Sequence, residues 1–250
     1  MFYPINFMKI ILQSKLKKKL FFKKEFNLIF KQNNQRKWLA MIYLVIFFIL
    51  ELMVITNNSF ITNFDSSIQT ILQGMVSSGF TSIFKTVTFL GSPLMDLIYL
   101  LLIAFLFLKN NYKQTALWII YLLISGNIIS FLIKITVHRQ RPLNAILPAS
   151  GYSFPSGHVF GTTLLILTII FLVLPHLHNK NWRIGISVIA ILWLILVAFS
   201  RVYLRGHFPS DVLGSALLAG TWWEFSELLY LRYHATIINL FKFHLGNQKE

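Results

Sequence analysis

Cysteine is absent from the 250-residue chain, which excludes disulfides, thiolate metal sites and cysteine nucleophiles. Acids are nearly as scarce, eight Asp and Glu in all. Two-metal hydrolytic centres gather several carboxylates around their ions, and this chain has few to gather. Charged residues total 12%, against about a quarter in a soluble globular domain. No internal repeat and no low-complexity tract is present. What the chain has in quantity is apolar: 56% hydrophobic residues, among them 24 phenylalanines. Such a balance describes an integral membrane protein.

A helix crosses the hydrocarbon core of a bilayer, about 30 Å, with roughly 20 residues. Six stretches qualify, at about Trp38–Thr56, Leu90–Leu108, Thr115–Val137, His158–Leu174, Ile184–Val202 and Val212–Leu231. Ser125, Gly126 and Asn127 in the third suit a seam between helices better than a lipid-facing surface. Between the first two spans, Asp65–Leu90 carries Ile68, Ile71, Leu72 and Met75 at helical spacing and reads as an amphipathic helix on the membrane surface. The expected fold is therefore all-α, a six-transmembrane-helix bundle with one interfacial helix. Three regions follow: a basic cytoplasmic tail over 1–37, a membrane domain over 38–231 and a cytoplasmic tail over 232–250.

The net charge of +15 is unevenly placed. Ten of the 23 Lys and Arg precede Trp38, with Glu25 the one acid among them. Short loops rich in Lys and Arg stay on the cytoplasmic side, so this tail sets both termini inside. Nothing in it resembles a nucleic-acid module, since aromatic residues are not interleaved with the basic ones as recognition requires; the expected contacts are membrane lipids. It also lacks a signal-peptide cleavage pattern. The opposite side then receives Val137–His158 and Val202–Val212, two loops rich in Arg and His, against the charge rule.

Ionisable groups near a bilayer are costly and usually functional. Here they form three clusters. The first runs from Lys134 to Arg141-Pro142, the second is Phe154-Pro155-Ser156-Gly157-His158, and the third spans Ser200-Arg201 to His207 and Asp211. If the helix bearing Lys134 persists to Pro142, Lys134 and Arg141 lie about two turns apart on one face. The second cluster opens a span, where backbone N–H groups at a helix N-terminus make an anion site. Because successive spans alternate in direction, all three clusters reach one membrane face. Three cations (Lys134, Arg141, Arg201) and free amides suit a dianionic tetrahedral group. A histidine with a carboxylate four residues on suits an oriented nucleophile or base, and a second histidine suits the acid for a leaving group. That chemistry is phosphoryl transfer. A zinc site from His138, His158 and His207 is disfavoured by the cations around it, and no metal or other cofactor is expected. Arg139 and Arg205 read as loop charges. Asp96, Glu51, Glu224 and Glu227 lie in or near spans with no partner evident.

Lys134-x6-Arg141-Pro142, Pro155-Ser156-Gly157-His158 and Ser200-Arg201-x5-His207-x3-Asp211 resemble the three signature motifs of the type 2 phosphatidic acid phosphatase (PAP2) superfamily, in order and without departure at the signature positions. The resemblance covers about Leu90–Leu231 and leaves the N-terminal tail aside. It implies a metal-independent lipid-phosphate phosphatase of the cell membrane, and the placement of the basic residues puts its site at the outer face. His207 would attack phosphorus and form a phosphohistidine, Asp211 would orient it, and His158 would protonate the departing oxygen. Lys134, Arg141, Arg201, Ser156 and Gly157 would hold the phosphate oxygens. Undecaprenyl diphosphate, phosphatidylglycerophosphate and phosphatidic acid are the substrate class implied. A phosphotransferase using the same residues, or a non-catalytic lipid-phosphate transporter, remains an alternative. Head group and oligomeric state are not legible.

Overall fold

The computed structural model describes residues 34–148 and 150–246, with side chains up to 232. The basic tail expected over 1–37 falls almost wholly outside the described residues. Residues 35–230 form one compact unit.

The regular structure of the described residues is all helix, with no strand. The α-helices are α1 (Asn34–Ile55), α2 (Ser59–Gln73), α3 (Ser78–Leu90), α4 (Pro93–Lys109), α5 (Lys113–Val137), α6 (Gly157–Thr168), α7 (Lys180–Tyr203) and α8 (Pro209–Gly246). A π-helical turn, Ile169–Val173, and a 3₁₀ turn, Leu174–His176, prolong α6. Four helices are long and apolar enough to cross a membrane on their own: Gln35–Ile55, Lys113–Val137, Gly157–His176 and Lys180–Tyr203. A fifth crossing is available if α3 and α4, which meet at a 43° bend, act as one broken span. Their outward faces are apolar and open, as at Ile42, Ile49, Leu102, Phe105, Ile124, Phe131, Ile189 and Leu192. Apolar surface on this scale is a lipid contact, since soluble monomers rarely expose contiguous patches beyond a few hundred Å². The protein is a multi-pass membrane protein.

Two local expectations need correction. The single surface helix over Asp65–Leu90 is instead two helices, α2 and α3, separated at Gly74–Ser77. Asn58 caps α2 and Ser77 caps α3, each accepting from Phe60 or Phe80 N–H, which satisfies orphan amides at a helix start. Neither helix simply floats on the surface: Asp65, Ile61 and Leu72 are buried, and both helices pack on α7. Helix α5 also stops four residues before Arg141, at Val137. His138 takes a left-handed conformation (φ 52°) and returns its N–H to Lys134 O. Lys134 and Arg141 therefore meet through the loop, not along a helix face; the extended preference of the residue before Pro142 works against continuing the helix.

The seam expected in α5 is present. Ser125 Oγ accepts from Trp222 Nε1 of α8 at 3.1 Å, and a Cβ at Gly126 would lie 3.0 Å from Leu164 of α6. Trp118 and Trp223 meet edge to face at 4.8 Å in the same region. Helix α8 is internal, with Ser215, Ala219, Trp223, Ser226 and Glu227 all buried. A helix facing protein on most sides can carry polar groups that a lipid-facing one cannot, which explains why it is not among the helices apolar enough to cross a membrane. All six acids with described side chains are buried: Glu51, Asp65, Asp96, Asp211, Glu224 and Glu227. Asp96 accepts from Thr162 Oγ1 at 3.0 Å, and Glu227 pairs with Arg36.

Candidate active site

The ends of α5 and α7 and the starts of α6 and α8 come together, joined by the loops 138–156 and 204–208. The longer loop is anchored where Ile146 N–H donates to Leu204 O at 3.0 Å, and Ile146 and Leu147 pack on Phe84, Tyr203 and Leu204. Tyr203 ties α7 to α3, its hydroxyl within 3.2 Å of Thr81 Oγ1.

His207 is 2% exposed and Asp211 fully enclosed. Nδ1 of His207 is 3.5 Å from Asp211 Oδ2, an ion-pair distance longer than a tight hydrogen bond. On its other side, Nε2 lies 3.3 Å from Arg141 Nη1. A guanidinium only donates, so Nε2 must be the acceptor and the ring proton sits on Nδ1, toward Asp211. Burial pushes the His207 pKa down to about 4, against the opposing pull of Asp211. On its other oxygen, Oδ1, Asp211 takes the Arg139 guanidinium at 2.6 Å. The result at neutral pH is a neutral imidazole, lone pair outward on Nε2, backed by a carboxylate.

The cations surround this pair. Arg141 donates to Gly151 O, Gly206 O and Ser150 O at 2.9, 2.6 and 2.9 Å. Lys134 Nζ donates to Tyr152 O and Pro155 O, both at 2.8 Å. Arg201 is buried, its Nη1 on Thr88 Oγ1 at 2.6 Å and its Nε without a partner among the described residues. Its guanidinium lies directly against Gly206, where a Cβ would push the end of this side chain aside.

The second cluster opens α6. Ser156 N–H donates to Ser215 Oγ at 2.6 Å, and Ser215 Oγ in turn donates to Asp211 O at 2.5 Å, so α6 and α8 are locked start to start. Ser156 Oγ is fully buried and has no partner among the described residues. No side chain caps α6, which leaves the first amides, from Gly157 onward, as open donors. His158, half-buried in the first turn, lies within electrostatic reach of Arg201, His207, Arg141 and Lys134. Every site residue read from the sequence thus falls in one neighbourhood.

Some residues of this neighbourhood are not legible in the three motifs. Arg139, read as a loop charge, binds Asp211 Oδ1, Ser210 Oγ and Asp65 Oδ2 at 2.6, 2.7 and 2.6 Å. Asp65 accepts in addition from Ser210 N–H and Oγ. Its one sequence signal is isolation, as the only acid between Glu51 and Asp96. Thr88 and Ser215 gave none.

A helical membrane bundle that collects a buried His–Asp pair, a second histidine and three cations at the ends of four helices defines a class: membrane proteins built to hold a phosphate-like anion beside a histidine. Residues 115–234 match the PAP2 superfamily. It is similar to the phosphatidylglycerophosphatase B of Haemophilus influenzae, 36% identical over 99 residues, which is 35% of this chain and 39% of that protein. It is similar also to the undecaprenyl-diphosphatase BcrC of Bacillus subtilis, 30% identical over 132 residues, 46% of this chain and 63% of that one. The matches thus span less than two thirds of the length of either relative. Among solved structures, a transmembrane PAP2-type phosphatidylglycerolphosphate phosphatase from Bacillus subtilis shares the fold, with a TM-score of 0.70 and 22% identity over 77% of this chain and 96% of that one.

Proposed function

We propose that this protein is a membrane lipid phosphate or diphosphate phosphatase acting through a phosphohistidine. The observation that carries the reading is the His207 ring: buried, neutral, its proton directed at Asp211 and its Nε2 lone pair held among cations. His207 Nε2 attacks phosphorus as the bond from phosphorus to the lipid oxygen breaks. His158 gives its proton to that oxygen, and the lipid alcohol or monophosphate departs. A water then attacks the phosphohistidine, His158 takes its proton, and inorganic phosphate leaves with His207 restored. Lys134, Arg141 and Arg201, with the Ser156 hydroxyl and the α6 amides beginning at Gly157, hold the phosphoryl oxygens as charge builds on them.

The lipid substrate follows from the setting, a site at the ends of spanning helices, and from the relatives' names, which include both phosphatidylglycerophosphate and undecaprenyl diphosphate as substrates. Undecaprenyl diphosphate ranks ahead of phosphatidic acid. The deciding experiment is phosphate release from a panel of lipid phosphates by purified full-length protein in excess EDTA. Release from lipid substrates, unaffected by EDTA, is expected; equal turnover of a soluble phosphate ester removes the case for a lipid, and loss of activity in EDTA removes metal independence. Lipid flipping without phosphate release would instead favour a transporter.

In this reading α8 is the sixth span, 38–231 is the catalytic membrane domain, and the flanking tails are cytoplasmic with the site at the outer face. The asymmetry of basic residues before Trp38 supports that orientation. Cysteines placed at the exposed positions Leu143 and Lys113 are expected to label from opposite sides of intact cells, Leu143 from outside. Labelling of Lys113→Cys from outside inverts the topology and the substrate leaflet with it.

A further inference from the structure

The Arg139 network has a use that the reaction as described leaves open. Its side chain is 12% exposed and forks between two buried carboxylates that are 2% and 0% exposed, Asp65 of α2 and Asp211 of α8. Its flat face rests on Phe208, 4.1 Å from the ring centroid, so the guanidinium plane is fixed as well as its charge. Asp65 holds the start of α8 by accepting from Ser210 N–H at 2.9 Å. Asp211 spends Oδ1 on Arg139 and turns Oδ2 to Phe208 N–H, at 2.8 Å, and to His207.

We propose that Arg139, clamped by Asp65, is a positioning residue that aims the Asp211 carboxylate at His207 and supplies the counter-charge that lets two carboxylates coexist there. Neither residue touches the substrate, and the inference rests on the phosphatase reading above. The charged groups around Asp211 come from several elements: His207 and Arg139 from the two loops, Asp65 across Ser210 from α2, and Lys134 and Arg141, whose charges also act on it. Of these cations, Arg139 alone has a hydrogen bond to Asp211 among the described residues. Without it, Asp65 and Asp211, the two buried carboxylates that share its guanidinium, are left facing each other's charge in a dry site, and close like charges push one of the pair to take a proton. A protonated or rotated Asp211 no longer holds the His207 tautomer.

The test is a double-mutant cycle on full-length protein in detergent or liposomes, with kcat, KM and pH profile read for Arg139→Gln, Asp65→Asn, the double variant and Arg139→Lys. Loss of the orienting carboxylate in a histidine triad costs about 10⁴-fold in kcat, and Arg139→Gln, which only misdirects it, is expected to lose about 100-fold, with KM within about threefold. Its acid limb is expected to move to higher pH. Adding Asp65→Asn removes the surplus negative charge and is expected to restore about tenfold, with the acid limb moving back; Arg139→Lys keeps the charge and is expected to retain more activity than Arg139→Gln. A folded Arg139→Gln protein with wild-type kcat and pH profile overturns the inference. So does a double variant no more active than Arg139→Gln. If Arg139→Gln alone fails to fold, the comparison of Asp65→Asn and the double variant with wild type still decides, because charge balance requires the double variant to keep the wild-type acid limb. An inactive wild type would sink the phosphatase reading itself, a result distinct from either of these.

Discussion

His207→Ala is expected to abolish turnover on every substrate, lipid or aryl, and to abolish covalent labelling of the protein by substrate phosphate. The imidazole is the one neutral nitrogen base in the pocket whose lone pair and proton are both assigned by geometry, Nε2 by Arg141 and Nδ1 by Asp211. Acid-labile phosphate trapped on the wild type is expected to map to position 207. Mapping to His158 instead would reverse the two roles. The same burial that keeps His207 neutral sets the pH window. The pKa lies at about 4 in the free protein, below the ordinary histidine value near 6.5. Protonation removes the nucleophile, so kcat/KM is expected to rise from acid through about pH 4 and not through pH 6.5, because kcat/KM reports groups of the free enzyme.

His158→Ala is expected to produce a loss that depends on the leaving group. His158 lies in the first turn of α6, and its electrostatic neighbours include His207 and the cations Arg201, Arg141 and Lys134. A lipid alkoxide is a poor leaving group and needs the proton; a nitrophenolate needs little help. General acid catalysis is worth about 10²–10⁴-fold, so His158→Ala is expected to lose that much on a lipid monophosphate and clearly less on p-nitrophenyl phosphate. Equal losses on both would assign His158 to positioning or to the second, hydrolytic step instead. Comparison with His207→Ala, inactive on both, separates a missing acid from a missing nucleophile.

Much of the site could be read from the sequence because bilayers make charge conspicuous. Lys134, Arg141, Arg201, His207 and Asp211 stand at the edges of long apolar runs, and the alternation of spans brings those edges to one face. Spacing along the chain carried the rest, since His207 and Asp211 are four apart and Ser156-Gly157-His158 directly precede a helix. Asp65 and Arg139 were not readable in this way. They are 74 residues apart, sit on elements with no shared periodicity, and each has an ordinary explanation by itself. Only packing of α2 against α7 and the start of α8 makes them partners. The two helices in place of one over Asp65–Leu90 were hidden for a related reason. Gly74 and Ser77 are mild interruptions in a continuous apolar pattern, and the bend into α4 depends on a neighbour the sequence does not reveal.

The donor inventory of the pocket has a consequence for how a ligand enters. Lys134 and Arg141 between them donate to the carbonyls of Ser150, Gly151, Tyr152, Pro155 and Gly206. Those five carbonyls stand, in the resting protein, where phosphoryl oxygens are proposed to come. Binding is then an exchange: each hydrogen bond gained by the phosphate is one that a loop carbonyl loses or shares, and the net gain per bond is the small difference between a charge-assisted bond to an anion and one to a neutral carbonyl. The cations proposed to grip the phosphate are also the fasteners of the 150–155 and 206 loops. In that proposal an arriving anion loosens those loops as it is seized, and a departing phosphate hands the fasteners back. The backbone is in this sense the site's resting ligand, keeping buried positive charge solvated between turnovers and setting a limit on how tightly product can be retained.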